Sequence, residues 1–278
     1  MDARAYLIER RPLIERALEA ALPPASAPPE SLHAAMRHLL FPGGKRLRPS
    51  LALAGAEAVG AAPESALPAA AAVELVHTYS LVHDDLPCMD DDRTRRGRPT
   101  VHVAFGEAVA VLAGDALLAA AFAALLDGAG PGDAGRRVAA ARDLAGAAGS
   151  LALVGGQVDD LRFSGGDAEA IESVHARKSA ALIAASVTTG ARLGGAGAGP
   201  LARLARFGRA LGVAFQIADD LLDAGDDEAC SLVRVLGPEG ARARADALLA
   251  SALAEIEELG LRAEPLRVLA RYAVRRDE

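Results

Sequence analysis

Tryptophan is absent from this 278-residue chain, and tyrosine and phenylalanine are so few that aromatic side chains make up only 3% of it. A β-sandwich or barrel draws on aromatic and β-branched residues for its pleated faces, so this scarcity argues against a sheet and for packed helices. Cysteine is nearly absent too: Cys88 and Cys230 cannot build a disulfide framework, which places the chain in a reducing cytoplasm. A net charge of -7 argues against nucleic acid as a partner. Long apolar runs are missing as well. The nearest to one, Ala108 to Leu126, is interrupted by Gly114 and Asp115 and is expected to be a buried helix rather than a membrane span. Met1 to Arg16 carries charges throughout and lacks the apolar core of a secretory signal. The most telling scarcity is lysine. Of 30 basic residues only Lys45 and Lys178 are lysine, and a chain that uses arginine everywhere else keeps lysine where a compact ammonium cannot be exchanged for a planar fork.

Alanine and leucine supply most of the apolar residues, which total 51%. No linker and no internal repeat divides residues 1–278, so one all-helical domain is expected. Apolar periodicity predicts helices over 2–20, 30–40, Ser50 to Val59, Leu67 to Val82, Ala110 to Asp127, 136–154, from Asp167, Leu201 to Asp223, Glu239 to Leu259 and Ala263 to Arg275. Gly128 to Gly135 and the glycine-rich Thr189 to Pro200 read as loops, and no strand pattern is visible.

The chemistry is concentrated in Tyr79 to Thr100, YSLVHDDLPCMDDDRTRRGRPT, where Asp84, Asp85, Asp90, Asp91 and Asp92 precede Arg93, Arg95, Arg96 and Arg98. Carboxylates this dense repel one another unless a cation sits among them, and a hard divalent ion with oxygen ligands suits them best. Arginines directly after them offer bidentate donors to phosphate oxygens. Pro87 is expected to end or kink the helix, so that the later acids curl back towards Asp84. A second acidic group lies in FQIADDLLDAGDD. There Asp219 and Asp223 are four apart, on one helical face, with Asp220 beside them and apolar residues around. Gly43 and Gly44 precede Lys45, Arg46 and Arg48, a candidate anion cradle in which the glycines let the backbone approach a ligand.

Taken together, these segments resemble the trans-isoprenyl diphosphate synthases. Asp84-Asp85-Leu86-Pro87-Cys88-Met89-Asp90 with Arg95-Arg96-Gly97 is similar to the family's first aspartate-rich motif, and Phe215-Gln216 with Asp219-Asp220-Leu221-Leu222-Asp223 to its second. FPGGKRLRP, Phe41 to Pro49, is similar to the isopentenyl diphosphate loop, and Gly156-Gln157, Asp160, His175 and Lys178-Ser179 also fit. The matches run in order from about residue 40 to residue 228.

The resemblance implies a bundle of ten or more helices around a central cavity. It implies a cytoplasmic homodimer that uses about three Mg²⁺ ions to condense isopentenyl diphosphate with an allylic diphosphate. Asp84, Asp85, Asp90, Asp219 and Asp223 would hold the ions, Arg95 and Lys178 the allylic diphosphate, and Lys45, Arg48, His77 and Arg96 the isopentenyl diphosphate, with Ser179 and Gln216 orienting. Tyr79, with Ser80 beside it, would floor the pocket and stop growth at the C15 product, farnesyl diphosphate. The family's lysine-bearing lid loop is missing after Glu228, where Ala229 leads directly into CSLVRVLGPEGARARA. The alternatives are a geranylgeranyl diphosphate synthase, a weakly active or regulatory subunit with a shortened lid, and a class I terpene cyclase. A di-iron bundle is a further rival, because Glu30 and His33, Glu74 and His77, and Glu172 and His175 repeat its Glu-x-x-His spacing.

Overall fold

The computed structural model describes residues 2–127, 133–222 and 230–275, which form thirteen α-helices and one short hairpin. Asp223 and the acids that follow it therefore lie outside the described residues. Helix α1 (Ala3–Ala21) starts at Asp2, whose carboxylate accepts the Ala5 N–H at 3.2 Å. After α2 (Glu30–His38) and α3 (Leu47–Ala58) comes α4 (Leu67–Asp84), the axis of the fold, whose residues Ala69 to Val76 are all buried. The hairpin β1 (Thr94–Arg95) and β2 (Arg98–Pro99) follows, then α5 (Val101–Phe105), α6 (Glu107–Leu126) and α7 (Ala134–Ala148). Next are α8 (Leu153–Leu161), α9 (Ala168–His175), a π turn over Ala176–Ala180, and α10 (Ala181–Leu193). The last three helices are α11 (Ala198–Leu222), α12 (Leu232–Glu255) and α13 (Glu264–Val274).

The core falls into two lobes. One gathers α1, α2, α6 and α7 around α4, and the other joins α3, α10, α11, α12 and α13. Where α3 meets α10 the backbones nearly touch: a methyl group at Gly190 would lie 1.9 Å from the Ala52 carbonyl oxygen. The functional cavity opens where the lobes meet, so its walls carry side chains from α3, α4, α11 and α13.

Several expectations need correction. The helix predicted over 136–154 is two, because α7 stops at Ala148 and α8 restarts at Leu153. The loop predicted over Thr189 to Pro200 is mostly helix. Thr188 and Thr189 turn their hydroxyls onto the Ala184 and Ala185 carbonyls, at 2.9 and 2.6 Å, and Gly190 is held by packing on α3. Helix α12 begins at Leu232 rather than Glu239, although Gly237, at φ 71°, kinks it before Pro238. Where no strand was expected, β1 pairs with β2, Arg95 opposite Arg98. Length and composition would suit α6 to a membrane. It lies along α4 with Ala113, Leu117 and Ala121 fully buried, while Val111, Leu112 and Leu126 stand exposed, so only one of its faces is core.

Candidate active site

Helix α4 ends at Asp84, and the chain then curls: Met89 N–H reaches the Leu86 carbonyl and Asp90 N–H the Asp84 carbonyl, each at 2.9 Å. Pro87 thus ends the helix as expected, and the curl carries Asp90 back beside Asp84. Asp84, Asp90 and, from α11, Asp219 line one cavity of about 800 Å³. Asp85 does not share it. Its carboxylate is fully buried and accepts Arg95 Nε–H at 2.6 Å.

Cationic and polar groups share the cavity with these acids. Lys45, Arg48, His77, Arg95, Arg96, Lys178, Ser179 and Gln216 all line the same cavity, as the sequence predicts. Arg46, counted with Lys45 and Arg48 in the cradle, turns inward. Its side chain is 1% exposed and pairs with Glu74 at 2.7 Å and Glu15 at 3.0 Å. The glycines also serve differently from expectation. The guanidinium of Arg46 covers Gly43 and that of Arg96 covers Gly44, so the paired glycines make room for arginines as well as bordering the cavity.

Arg96 and Gly97 form the two-residue turn of the hairpin with φ 53° and 73°, the geometry that favours asparagine, aspartate or glycine at both central positions. A β-carbon in the left-handed region is strained, yet this residue presents its guanidinium to the cavity. Arg98 fastens the hairpin below by donating to the His38 and Phe41 carbonyls at 2.9 and 2.8 Å.

On the far side, α8 packs so closely on the π turn that a methyl group at Gly156 would lie 2.3 Å from Lys178 N. The extra residue of a π turn re-aims what it carries, and here Lys178 meets Asp160 of α8 while Ser179 donates to Gln216 Oε1 at 2.7 Å. Gln157 is buried and does not line the cavity, and His175 sits beneath it, 3.3 Å from the Cys230 carbonyl.

The electrostatics of the lining groups follow from burial and from their mutual charges. Burial pushes the Asp84 carboxyl up to about 7, Lys178 opposes the shift, and Asp90 adds repulsion. Asp90 is raised as well, chiefly by burial. Burial would lower Lys178, but Asp160, Asp84 and Asp90 carry it upward instead. Burial and the cations Arg48, Arg96, Arg95 and Arg46 hold His77 well below its ordinary value, so it is a neutral hydrogen-bonding group. Excess negative charge at one end and excess positive charge at the other fit a metal-bridged anion. The acidic donors are carboxylates, which suit Mg²⁺. Among the described residues no three acids or imidazoles converge closely enough to chelate an ion by themselves, so phosphate oxygens would complete the coordination.

Among the lining residues that escaped sequence reasoning are Arg11 of α1, Leu153, Leu182, Tyr272 and Ala273. The Tyr272 ring lies 5.9 Å from Lys45 Nζ. No local pattern marks them, since each reaches the cavity only through tertiary packing. Tyr79, expected at the floor, is 5% exposed and is not a lining residue; its ring packs edge-on against His83 at 5.8 Å. Ser80 does line the cavity. Two of the three Glu-x-x-His acids are held in ion pairs, Glu74 by Arg46 and Glu172 by Arg244, each at 2.7 Å.

A helical bundle whose large cavity holds carboxylates together with guanidinium and ammonium groups is a site for a metal-bound polyanion, and the comparisons place it among the prenyltransferases. The chain belongs to the polyprenyl synthetase family, whose model matches residues 29–231. It is 41% identical over 292 residues to the chloroplastic geranylgeranyl pyrophosphate synthase of Capsicum annuum, covering 99% of this chain and 79% of that protein. It is 40% identical over 288 residues to the dimethylallyltranstransferase of Fischerella ambigua, covering 98% and 83%. Among solved structures, the apo FPP/GFPP synthase from Zymomonas mobilis superposes with a TM-score of 0.91 at 39% identity, covering 98% of both chains.

Proposed function

We propose that this protein condenses isopentenyl diphosphate with dimethylallyl or geranyl diphosphate and releases a linear C15 diphosphate. The observation that carries this is a cavity of about 800 Å³ lined both by Asp84, Asp90 and Asp219 and by Lys45, Arg48, His77 and Arg96. Two anionic groups need two holders, and the cavity has both.

Asp84, Asp90 and Asp219 would hold Mg²⁺, with Asp223 a further proposed ligand; about three ions per site would neutralise the charge that grows on the departing allylic diphosphate. Arg95 and Lys178 donate to the same diphosphate, an electrostatic stabilisation of several kcal/mol. Lys45, Arg48, Arg96 and neutral His77 fix isopentenyl diphosphate so that its double bond faces the allylic C1. Ser179 orients Gln216, whose dipole stands near the developing cation. The apolar end carries Leu81, Leu153 and Leu182, which exclude water from that cation.

A longer, C20 product is the second reading. Ser80 rather than Tyr79 lines the cavity, which leaves a less bulky floor than the sequence implies. The exposed Val111, Leu112, Leu126 and Val138 on α6 and α7 support a homodimer joined through that face. Cys88 and Cys230, both free thiols, suit a cytoplasmic setting.

Incubation with Mg²⁺, isopentenyl diphosphate and each allylic primer tests the reading. Farnesyl diphosphate is the expected product, and Asp84→Ala lowers turnover more than a hundredfold while leaving the helical signal intact. A C20 product favours the second reading, cyclic hydrocarbons indicate a terpene cyclase, and no turnover indicates a regulatory subunit.

A further inference from the structure

We propose that within each acidic pair only the first aspartate serves the cavity, and that the second is a positioning residue fastening the segment downstream. This rests on the reading of Asp84 and Asp219 as holders of divalent cations.

Asp84 is the last residue of α4 and Asp85 its C-cap, and neighbouring residues at about 100° to one another need not face the same cleft. Asp84 and Asp219 line the cavity, whereas Asp85 and Asp220 are 0% and 4% exposed. Each buried carboxylate reaches forward along the chain. Asp85 Oδ1 accepts Arg95 Nε–H at 2.6 Å, ten residues on, where β1 begins the hairpin that presents Arg96. Asp220 Oδ2 accepts the Leu232 backbone N–H at 3.0 Å, twelve residues on, at the first residue of α12. His175 Nε2 stands 3.7 Å from that same Asp220 oxygen, and Gln216 Nε2–H reaches Asp220 Oδ1 at 3.4 Å.

Both tethers therefore begin one residue past a cavity acid and end at the far side of the intervening segment. Asp85 holds the Arg95 guanidinium, which lines the cavity, at a fixed distance from Asp84. Asp220 ties the first residue of α12 to the end of α11. Asp85, read from sequence as a metal ligand, is thereby reassigned.

The test counts Mn²⁺ bound to the full chain in the presence of inorganic diphosphate, by electron paramagnetic resonance, and follows amide hydrogen exchange without metal. Asp84→Asn and Asp219→Asn are expected to weaken Mn²⁺ binding at least tenfold, with exchange unchanged. Asp85→Asn and Asp220→Asn are expected to keep Mn²⁺ affinity within about threefold, and to speed exchange at 93–99 and at 231–235 respectively. Tenfold loss of Mn²⁺ affinity in either of the latter, with exchange unchanged, overturns the assignment. A double-mutant cycle on kcat adds a readout that general destabilisation does not move. If Asp85 acts through Arg95, then Asp85→Asn with Arg95→Gln is no slower than the worse single variant; additive losses refute it. Should the parent bind no Mn²⁺ with diphosphate, the reading of the cavity fails, while the tethers still stand or fall on exchange.

Discussion

Replacing Arg46 by Met removes the guanidinium that pairs directly with Glu74 inside the fold. The Arg46 side chain is 1% exposed and that of Glu74 4%, with 2.7 Å between them, and Glu15 takes the remaining donors at 3.0 and 3.1 Å. Methionine fills much the same volume, so the loss is electrostatic rather than a cavity. A buried carboxylate left without its partner is destabilising by about 3–5 kcal/mol. In a chain of this size that lowers the thermal midpoint by roughly 10 °C. The pH dependence gives the sign. An ionised carboxyl without its partner costs more than a protonated one, so the penalty is smaller at low pH. It grows as pH rises. Urea titrations of parent, Arg46→Met, Glu74→Leu and the double variant, at pH 5 and pH 8, measure this. The double variant should recover most of the loss, since replacing a buried pair by apolar groups is often neutral or stabilising. A loss under about 1 kcal/mol at pH 8, or an equal loss at both pH values, would refute the reasoning. Because Lys45 and Arg48 flank Arg46 and face the cavity, the single variant should also raise KM for isopentenyl diphosphate more than it lowers kcat.

Two further outcomes follow from the cavity. Leu182→Ala removes an apolar lining side chain and should lengthen the product by one C5 unit, read by chromatography after dephosphorylation, whereas Tyr79→Ala, behind that wall, should change length less; the reverse order would restore Tyr79 as the floor. Asp84, at about 7 without metal, must lose its proton to bind a cation. Mg²⁺ affinity measured by calorimetry should therefore fall about tenfold from pH 8 to pH 6. With its folded value above the unfolded one, Asp84 makes the metal-free protein less stable as pH rises from about 4 to 7, and Mg²⁺ at pH 8 should reverse this; a pH-independent affinity sinks the assignment.

Much of the site was legible because its chemistry is written in charge. Asp84, Asp90, Asp219, Lys45, Arg48, His77, Arg96 and Lys178 reach the one cavity the sequence implies. What could not be read was direction. Asp84 and Asp85 are identical in sequence terms, and only the helix end and the position of Arg95 send one outward and the other inward. The same holds for Arg46 between Lys45 and Arg48: its left-handed backbone, at φ 58°, turns the side chain beneath the loop. The fold's misread stretch, Thr189 to Pro200, failed because weak helix formers were judged by local preference, while α3 decided the outcome by packing on Gly190.

The turn at Arg96 has a practical corollary for anyone hardening this protein against heat. Asparagine or glycine there would relax the backbone, and selection for melting temperature alone would favour either. The guanidinium lost in that exchange belongs to the cavity, so durability gained at this position is drawn from the grip on substrate. A library screened by survival alone would enrich sturdier, poorer catalysts.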